Sequence, residues 1–431
     1  MSRQKASVAI VGAGPAGLAM AAALKNLHIP FTVYEKHSDS GGIWDMENEG
    51  TPMYEAAHFI SSKTLSGFQG FPMPEDYPDY PSRAQILQYI RAYTDHCGLR
   101  PYIRFGQKII HANWEAGNWT IQNEADEVFQ HTDLICANGP LWQPNSPHYT
   151  GLEQIPHRHS NTFKKSTEFL GKRILVVGGG NSGVDIACEA ATYADKAYIS
   201  LRRGYYFIPK HVFGMPSDVF GHAGPKLPTR LNQWVLSRLL KLVFGDQTKF
   251  GLPKPDHKIL ESHPVLNSQI FHHTTHGNLM IKPDIDRIEN GMVFFKDHST
   301  IEVDEIILAT GFDYAIPYAA PYFDWKDQRP VLFMNLFNPR QDHLFALGFM
   351  ETNSAAYELF GEMAALIARY IKARVDQPEL AQKFRKIVET EQPDLSGGLH
   401  LVHSARHTGY VDSDAYRAYL KKLNKKMGWT N

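Results

Sequence analysis

Apolar residues open the most regular pattern in the chain, as an unbroken run from Val8 to Val11. A glycine-rich turn and an alanine-rich helical stretch follow, and a second β-rich run ends at Glu35. This order of strand, turn, helix, strand and acid is typical of a βαβ unit that binds a dinucleotide. The turn glycines allow a tight bend, the approach of a pyrophosphate and close helix packing. A turn without a ligand is the alternative, but the acid at the strand end favours a nucleotide site because a carboxylate there accepts hydrogen bonds from ribose hydroxyls.

The same pattern recurs in the second half of the chain. Another apolar run leads into a glycine-rich turn at 178–183, then into a second helical stretch and a second strand. Each copy also closes with a meander of short alternating runs, which end in Ala-Asn-Gly at 137–139 and in Ala-Thr-Gly at 309–311. Two copies of one plan are a stronger signal than either glycine motif alone.

The second copy differs at the position that would face the ribose. Arg202 and Arg203 stand where the first copy has an acid. A carboxylate would repel a 2′-phosphate, whereas arginine binds phosphate through charge-assisted hydrogen bonds. A solvated basic turn is the alternative. We therefore interpret the first unit as an FAD or NAD site and the second as an NADP(H) site.

Composition narrows the class of protein. A chain of 431 residues can form two or three domains, and a formal net charge of −1 points to neither nucleic acid nor an anionic membrane as a partner. The cysteines Cys97, Cys136 and Cys188 form no CxxC pair, which argues against a disulfide framework and a dithiol redox centre. No apolar core of a signal peptide and no membrane-spanning stretch is found, so we expect a cytoplasmic protein. The sequence does not decide the oligomeric state, and a homodimer is retained as one candidate.

Two further segments carry expectations about structure. A helix is predicted from Arg83, with Ser82 as its cap. Residues 205–280 are aromatic, basic and rich in histidine, but these histidines lack an acid or cysteine at metal-ligand spacing, so no metal site is predicted. Within this segment, residues 231–244 fit a helix that packs on its neighbours or lies on a membrane surface, and we favour packing.

The pairing of an acidic and a basic dinucleotide unit indicates hydride transfer from NADPH to a flavin. Without a protein dithiol, the electrons must pass to oxygen, to a small acceptor or to a partner protein. A flavin-binding protein without enzymatic activity is a third class, which the intact second unit disfavours.

Over nearly its whole length the chain resembles the flavin-containing monooxygenases, a family of class B flavoprotein monooxygenases. The motifs that carry the resemblance are GAGPAG at 12–17 with Glu35, GGIW at 41–44, HSNTFK at 159–164, GGGNSG at 178–183, LRRG at 201–204, ILATGFDY at 307–314 and RHTGYVD at 406–412. The resemblance implies an N,N-dimethylaniline-type monooxygenase that uses FAD, NADPH and O2. In this family a C4a-(hydro)peroxyflavin passes one oxygen atom to a soft nucleophile, such as a sulfide or an amine. A Baeyer–Villiger monooxygenase and an NADPH oxidase or flavin oxidoreductase are the alternatives.

The fold implied is α/β, with two Rossmann-like domains arranged as in glutathione reductase. The FAD domain would cover 1–165 and 312–431, and the NADP domain, 166–311, would be inserted into it. Implied FAD contacts are Gly12, Gly14, Pro15, Ala16, Gly17, Glu35, Gly42, Ile43, Trp44, Thr310 and Gly311. Implied NADP contacts are Gly178, Gly180, Asn181, Ser182, Gly183, Arg202 and Arg203. His159 and Phe163 would support the NADP domain from the linker, with simple packing as the alternative for His159.

One departure from the family concerns the flavin face. The family usually has an asparagine in an N-x-(P/S)-K segment, and here Ile60 stands at that place, followed by Ser61 and Ser62. An isoleucine side chain forms no hydrogen bond. Either one of these serines or His58 replaces the asparagine, or the enzyme releases peroxide as an oxidase.

Overall fold

The computed structural model describes residues 6–224, 229–262, 264–399, 401–402 and 409–429. Within these ranges, helices α1 to α9 span Pro15–Asn26, Arg83–His96, Asn181–Tyr193, Ser217–Ala223, Thr229–Phe244, Gln269–Thr275, Ala356–Asp376, Pro378–Thr390 and Ser413–Met427. Strands β1 to β12 span Val8–Val11, Phe31–Tyr34, Ile103–Arg104, Ile109–Glu115, Asn118–Asn123, Val128–His131, Asp133–Cys136, Gln143–Pro144, His157–His159, Arg173–Val177, Lys196–Ser200 and His211–Val212. Strands β13 to β24 span Met215–Pro216, Leu279–Lys282, Ile285–Glu289, Met292–Phe295, Thr300–Glu302, Glu305–Leu308, Phe312–Asp313, Trp325–Lys326, Arg329–Pro330, Leu344–Ala346, Glu351–Thr352 and Tyr410–Val411.

The first glycine pattern lies in a parallel sheet with the strand order β22-β7-β1-β2-β3. Strands β1, β7 and β22 are buried at every position, as is typical of parallel strands covered on both faces. Helix α1 connects β1 to β2 and packs against α7. Side chains such as Ile10, Met20 and Leu366 join the sheet and both helices in one apolar core.

The second glycine pattern lies in another parallel sheet, with the order β14-β11-β10-β18-β9. Here α3 connects β10 to β11. The predicted α/β fold with two Rossmann-like units is thus confirmed. Strand β9 pairs with β18 in this second sheet, so the second sheet recruits residues 157–159, which precede the boundary that the sequence placed at 166. The division into two domains otherwise stays a proposal.

Two chain crossings connect the units. Strand β8 leaves the first unit and pairs antiparallel with β19, which returns from the second. Asn145 joins the two crossings, since its backbone N–H donates to the carbonyl of Gly311 at 3.0 Å and its side-chain amide donates to Asp313 at 2.8 Å. The antiparallel pair therefore forms a two-stranded connection.

Helix α5 forms as predicted, but the expected packing of its apolar face is wrong. None of the α5 side chains that the structure describes is buried, and Trp234 and Leu242 are 58% and 81% exposed. Leu236, Leu239 and Leu240 are half-buried, so the described residues cover the apolar face only in part. In the described part of the chain, no helix combines the length and apolarity needed to span a bilayer.

Candidate functional site

Backbone geometry makes the first turn dependent on glycine. Gly12 has φ +112°, and a Cβ at this position would lie 2.5 Å from the carbonyl oxygen of Ala137. A Cβ on Gly17 would lie 1.9 Å from the carbonyl oxygen of Gly12. Pro15 opens α1, and no side chain caps the helix at Gly14. The amide groups at this helix start could therefore bind an anion such as the pyrophosphate of FAD.

The loop that contains the GGIW motif lies directly on this turn. Gly42 has φ +59°, and a Cβ there would be 3.0 Å from the Cα of Gly14, so a side chain at this position would be strained. Ile43 follows half-buried, and the ring of Trp44 is buried with its centroid 5.2 Å from that of Phe59. The structure thus brings together the predicted FAD residues of the first turn and of the GGIW motif.

Glu35 lies at the end of β2, beside the same turn. Its Oε2 accepts a hydrogen bond from the backbone N–H of Ala13 at 2.6 Å, and its Oε1 accepts one from that of His37 at 3.0 Å. Burial alone would raise the pKa of Glu35, but His37 and these backbone donors outweigh it and hold the pKa below its ordinary value. The carboxylate is therefore charged, and Oε2 keeps a lone pair for a ribose hydroxyl, whereas Oε1 also lies 3.0 Å from Nδ1 of His37.

Sequence reasoning missed three residues around this turn. The ammonium group of Lys36 lies 3.8 Å from the ring centroid of Trp142, and a Cβ on Gly139 would lie 3.6 Å from the Trp142 ring. On the other side, Gly348 has φ +91°, and a Cβ there would lie 3.0 Å from the Cβ of Ala16 in α1. The position of Lys36 next to Glu35 was a usable signal, whereas the contacts of Trp142 and Gly348 depend on chain segments far apart in sequence.

The second turn repeats the geometry of the first. Gly178 has φ +123°, and its Cβ would lie 2.3 Å from the carbonyl oxygen of Ala309. A Cβ on Gly183 would lie 2.2 Å from the Gly178 carbonyl oxygen. Asn181 begins α3 and accepts a hydrogen bond from the backbone N–H of Leu266 at 3.0 Å. Gly180 and the exposed Ser182 complete a turn that no side chain caps.

The predicted arginines follow β11, on the same side of the sheet as this turn. Arg202 is exposed, and the guanidinium carbon of Arg203 lies 5.6 Å from the ring centroid of Tyr205. A Cβ on Gly179 would lie 2.3 Å from the Tyr205 ring, so this ring covers the turn. The Nε of Arg203 is buried without a hydrogen-bond partner in the described part of the protein, and such a donor fits a phosphate oxygen.

Thr310 and Gly311 lie at the connection between the units, next to the second turn. The Thr310 hydroxyl donates to the carbonyl of Asn145 at 2.5 Å. Their neighbour Ala309 contacts Gly178, as described above. The role of these residues in FAD binding stays a prediction.

His159 and Phe163 hold the linker to the second unit. His159 Nε2 donates to the Gly311 carbonyl at 2.9 Å, and its Nδ1 accepts from the Asn161 backbone N–H at 3.3 Å. Burial lowers the pKa of His159, although the side chain of Asn161 and the Gly311 carbonyl raise it, so the ring is neutral at pH 7. Phe163 is fully buried and stacks on Phe169 at 4.8 Å. This geometry fits support of the NADP-binding unit and a packing role equally well.

The segment with Ile60, Ser61 and Ser62 runs from the GGIW loop to the second unit. Ile60 is 37% exposed and Ser61 is half-buried. Ser62 is fully buried, and its backbone N–H donates to the carboxylate of Asp218 at 2.7 Å. Its hydroxyl has no hydrogen-bond partner among the described residues. Of the two serines, Ser62 therefore fits better as the donor to a ligand.

The C-terminal motif is described in part. Residues 406–408 of RHTGYVD lie outside the described residues. Tyr410 and Val411 form β24, which pairs with β23, and the Asp412 carboxylate accepts from the side-chain amide of Asn353 at 2.6 Å. The motif therefore joins the segment that leads into α7.

This fold and these turns define a protein with two dinucleotide-binding units. A model of flavin-binding monooxygenase-like proteins matches residues 5–428, and the chain belongs to this family. It is 29% identical over 455 residues to flavin-containing monooxygenase 3 of Macaca mulatta, covering 98% of this chain and 82% of that protein. It is 30% identical over 359 residues to indole-3-pyruvate monooxygenase YUCCA1 of Oryza sativa subsp. japonica, covering 79% and 86%.

Solved structures support the fold. OTEMO in complex with FAD and NADP matches with a TM-score of 0.71 at 18% identity, covering 98% of both chains. S-allyl-L-cysteine S-oxygenase from Allium sativum matches with a TM-score of 0.67 at 18% identity, covering 100% of this chain and 90% of that one. The family membership confirms the resemblance and the prediction of FAD and NADP(H) as cofactors. The cytoplasmic location and the homodimer stay predictions.

Proposed function

We propose that this flavin monooxygenase uses NADPH, FAD and O2 to add one oxygen atom to a soft nucleophile, a sulfide sulfur or an amine nitrogen. One molecule of NADPH, one proton and one O2 would give the oxygenated product, NADP+ and water. Bound flavin supplies the carrier that accepts the hydride and then activates O2. The observation that carries the proposal is the pairing of a charged Glu35 at the first turn with Arg202 and Arg203 at the second.

At the second turn, the chain would bind and orient NADPH. The amides at the start of α3 would hold the NADPH pyrophosphate, and Arg202 and the unpartnered Nε of Arg203 would hold its 2′-phosphate. Two arginines at this position favour NADPH over NADH, which lacks that phosphate.

On the flavin side, the chain positions the cofactor and limits water. The start of α1 and the loop at Gly42 would hold the pyrophosphate, and Glu35 would accept from the ribose. The buried rings of Trp44 and Phe59 lie next to that loop, and the hydroxyl of Ser62 would donate to a group at the flavin face. Few side chains need to react, because orientation and exclusion of water dominate this chemistry.

The choice of a sulfide or an amine rests on relatives. One of them is dimethylaniline monooxygenase [N-oxide-forming] 2 of Oryctolagus cuniculus, at 26% identity, and a structural neighbour is an S-oxygenase. Within this substrate class, we propose tertiary amines of the dimethylaniline type as substrates.

The test is rapid mixing of the FAD-loaded protein. NADPH without air should bleach the flavin, and O2 should then return the oxidised spectrum slowly, with sulfides or amines from a panel accelerating this return. Absence of bleaching would contradict the proposal, as would a return rate that no compound in the panel changes.

Ile60 favours a second candidate, an NADPH oxidase that releases peroxide. This exposed apolar side chain stands where the family has an asparagine, and it offers no hydrogen bond to hold a polar group. The peroxide formed per NADPH measures this activity. Under the oxidase reading, Ile60→Asn lowers peroxide release, whereas Ile60→Val does not. If the wild-type protein couples NADPH to product, the oxidase reading is contradicted.

A further inference from the structure

One carboxylate joins three segments where the two units meet. Asp185 lies on α3, two residues after the last glycine of the second turn. Its Oδ2 accepts from the hydroxyl of Tyr54 at 3.3 Å, and its Oδ1 accepts from the side-chain amide of Asn267 at 2.6 Å. Tyr54 belongs to the segment that follows the GGIW loop, and Asn267 belongs to the 205–280 segment. A single side chain thus links the helix of the candidate NADP site to the flavin-side loop.

The segment around Tyr54 is anchored in the second unit. The Tyr54 ring is buried in that unit's apolar cluster, with its centroid 5.5 Å from that of Phe163. The backbone N–H of Glu55 donates to the carbonyl of Lys164 at 2.8 Å, and the Lys164 ammonium group donates to the carbonyl of Thr51 at 2.9 Å. Segment 51–57 therefore packs against the second unit.

The same segment is tied to the first turn. The hydroxyl of Thr51 donates to the carbonyl of Ile43, within the GGIW loop that lies on Gly14. Further along, it leads to Ile60 and Ser62 at the candidate flavin face. The loop 42–63 consequently contacts the first turn, and through Tyr54 it makes a polar contact to α3.

We propose that Tyr54 and Asp185 are positioning residues whose hydrogen bond fixes the approach of the nicotinamide to the flavin. This inference rests on the proposed function, since it concerns hydride transfer between the two sites. Hydride transfer needs the reacting atoms close and aligned, and a misplacement of about 1 Å can cost about 100-fold in rate. A contact that holds α3 against the flavin-side loop acts on this distance.

The donors around Asp185 make the pair sensitive to small changes. The amide oxygen of Asn267 already accepts from the backbone N–H of Ile270 at 3.1 Å, so Asn267 is held with its NH2 group toward Asp185. Asp185→Leu would remove both acceptor oxygens at similar volume and leave the donors of Tyr54 and Asn267 without an acceptor there. Tyr54→Phe removes only the hydroxyl and keeps the buried ring.

The chain offers a matched control at Tyr370. This residue of α7 also has a buried ring, and its hydroxyl donates to a carboxylate, that of Asp342. Tyr370→Phe thus removes the same kind of bond at another place. A purely structural role for Tyr54 predicts similar effects of both substitutions.

The first readout is amide hydrogen exchange with and without NADP+. In the wild-type protein, NADP+ should protect both the 178–193 segment and the 51–57 segment. In Tyr54→Phe, NADP+ should still protect 178–193 but should no longer protect 51–57. In Tyr370→Phe, NADP+ should protect both segments. Unchanged protection of 51–57 in Tyr54→Phe would overturn the proposal.

The second readout is flavin reduction without air. Tyr54→Phe should slow reduction by NADPH about tenfold or more, with its Kd for NADPH within about twofold and reduction by dithionite unchanged. Asp185→Leu should slow reduction in the same way, and it provides a second test if Tyr54→Phe fails to fold. Equal slowing in Tyr370→Phe would overturn the proposal. If wild-type flavin is not reduced by NADPH, the proposed function fails, while hydrogen exchange still tests the pair.

Discussion

At the scale of single residues, both turns require glycine because a side chain would collide with the backbone. Gly17 shows this most clearly, since its Cβ would lie 1.9 Å from a backbone oxygen that cannot move independently. Gly17→Ala is therefore expected to displace the turn and to reduce the FAD bound per purified chain several-fold. Gly221→Ala is the control, because nothing lies within 4 Å of a Cβ there. Equal FAD content in both variants, measured by absorbance, would contradict this account of the turn.

The arginines that follow β11 carry the prediction on coenzyme choice. Replacing Arg202 and Arg203 by alanine should raise the KM for NADPH about tenfold or more and leave that for NADH nearly unchanged, because only NADPH has the 2′-phosphate. Arg287→Ala is the control, since Arg287 pairs with Asp286 in the meander. Equal losses for both coenzymes would mean that these arginines do not bind the 2′-phosphate.

His131 carries a prediction on pH. It lies between the hydroxyls of Tyr34 and Ser7, and burial, with Arg104 nearby, lowers its pKa to about 4. Because an unfolded histidine has a pKa of about 6.5, the unfolded chain binds more protons between about pH 6.5 and 4. The contribution of His131 to stability is thus complete above that window and is lost as pH falls through it. His131→Gln should flatten the decrease of Tm from pH 7 to 5, while the exposed His111→Gln should not. The same pH dependence in both variants would refute this.

At the scale of elements, the sequence predicted what local chemistry decides. Ser82 caps α2, and Gln85 completes a capping box, because both contacts are made within one turn. The glycine turns were predictable for the same reason, since their spacing lies within a few residues. Strand β9 was missed because His-Arg-His has no apolar pattern and is defined by its pairing with β18. The packing of α5 was predicted wrongly because apolar periodicity does not show whether neighbours are present.

The exposure of α5 gives an element-scale prediction. Leu242→Asp should change the free energy of unfolding by less than about 0.5 kcal/mol, since 81% of Leu242 is already exposed. In α7, Leu366→Ala should cost about 2–5 kcal/mol because Leu366 is fully buried in the first unit's core. Urea unfolding monitored by fluorescence compares them. A large loss for Leu242→Asp would show that this helix face is covered.

At the scale of the whole molecule, two cofactor units are held by a double crossing and by one loop. The crossings β8 and β19 were not predicted, since two-residue strands have no sequence signature. The sequence did predict that one unit is inserted into the other, and this remains a prediction. The candidate site was predictable at the turns and their acid and arginines, where motif spacing is local. The contacts of Tyr54, Trp142 and Gly348 were not, since each joins segments distant in the chain.

The central claim is that oxygen from O2 enters a sulfide or an amine at the expense of NADPH. The most direct measurement is mass spectrometry of the product formed under 18O2 from the compound that most accelerates flavin reoxidation, with NADPH consumption recorded in parallel. The account predicts one 18O atom in each product molecule and one NADPH consumed per product. Unlabelled product, or 18O recovered entirely as hydrogen peroxide, would contradict it.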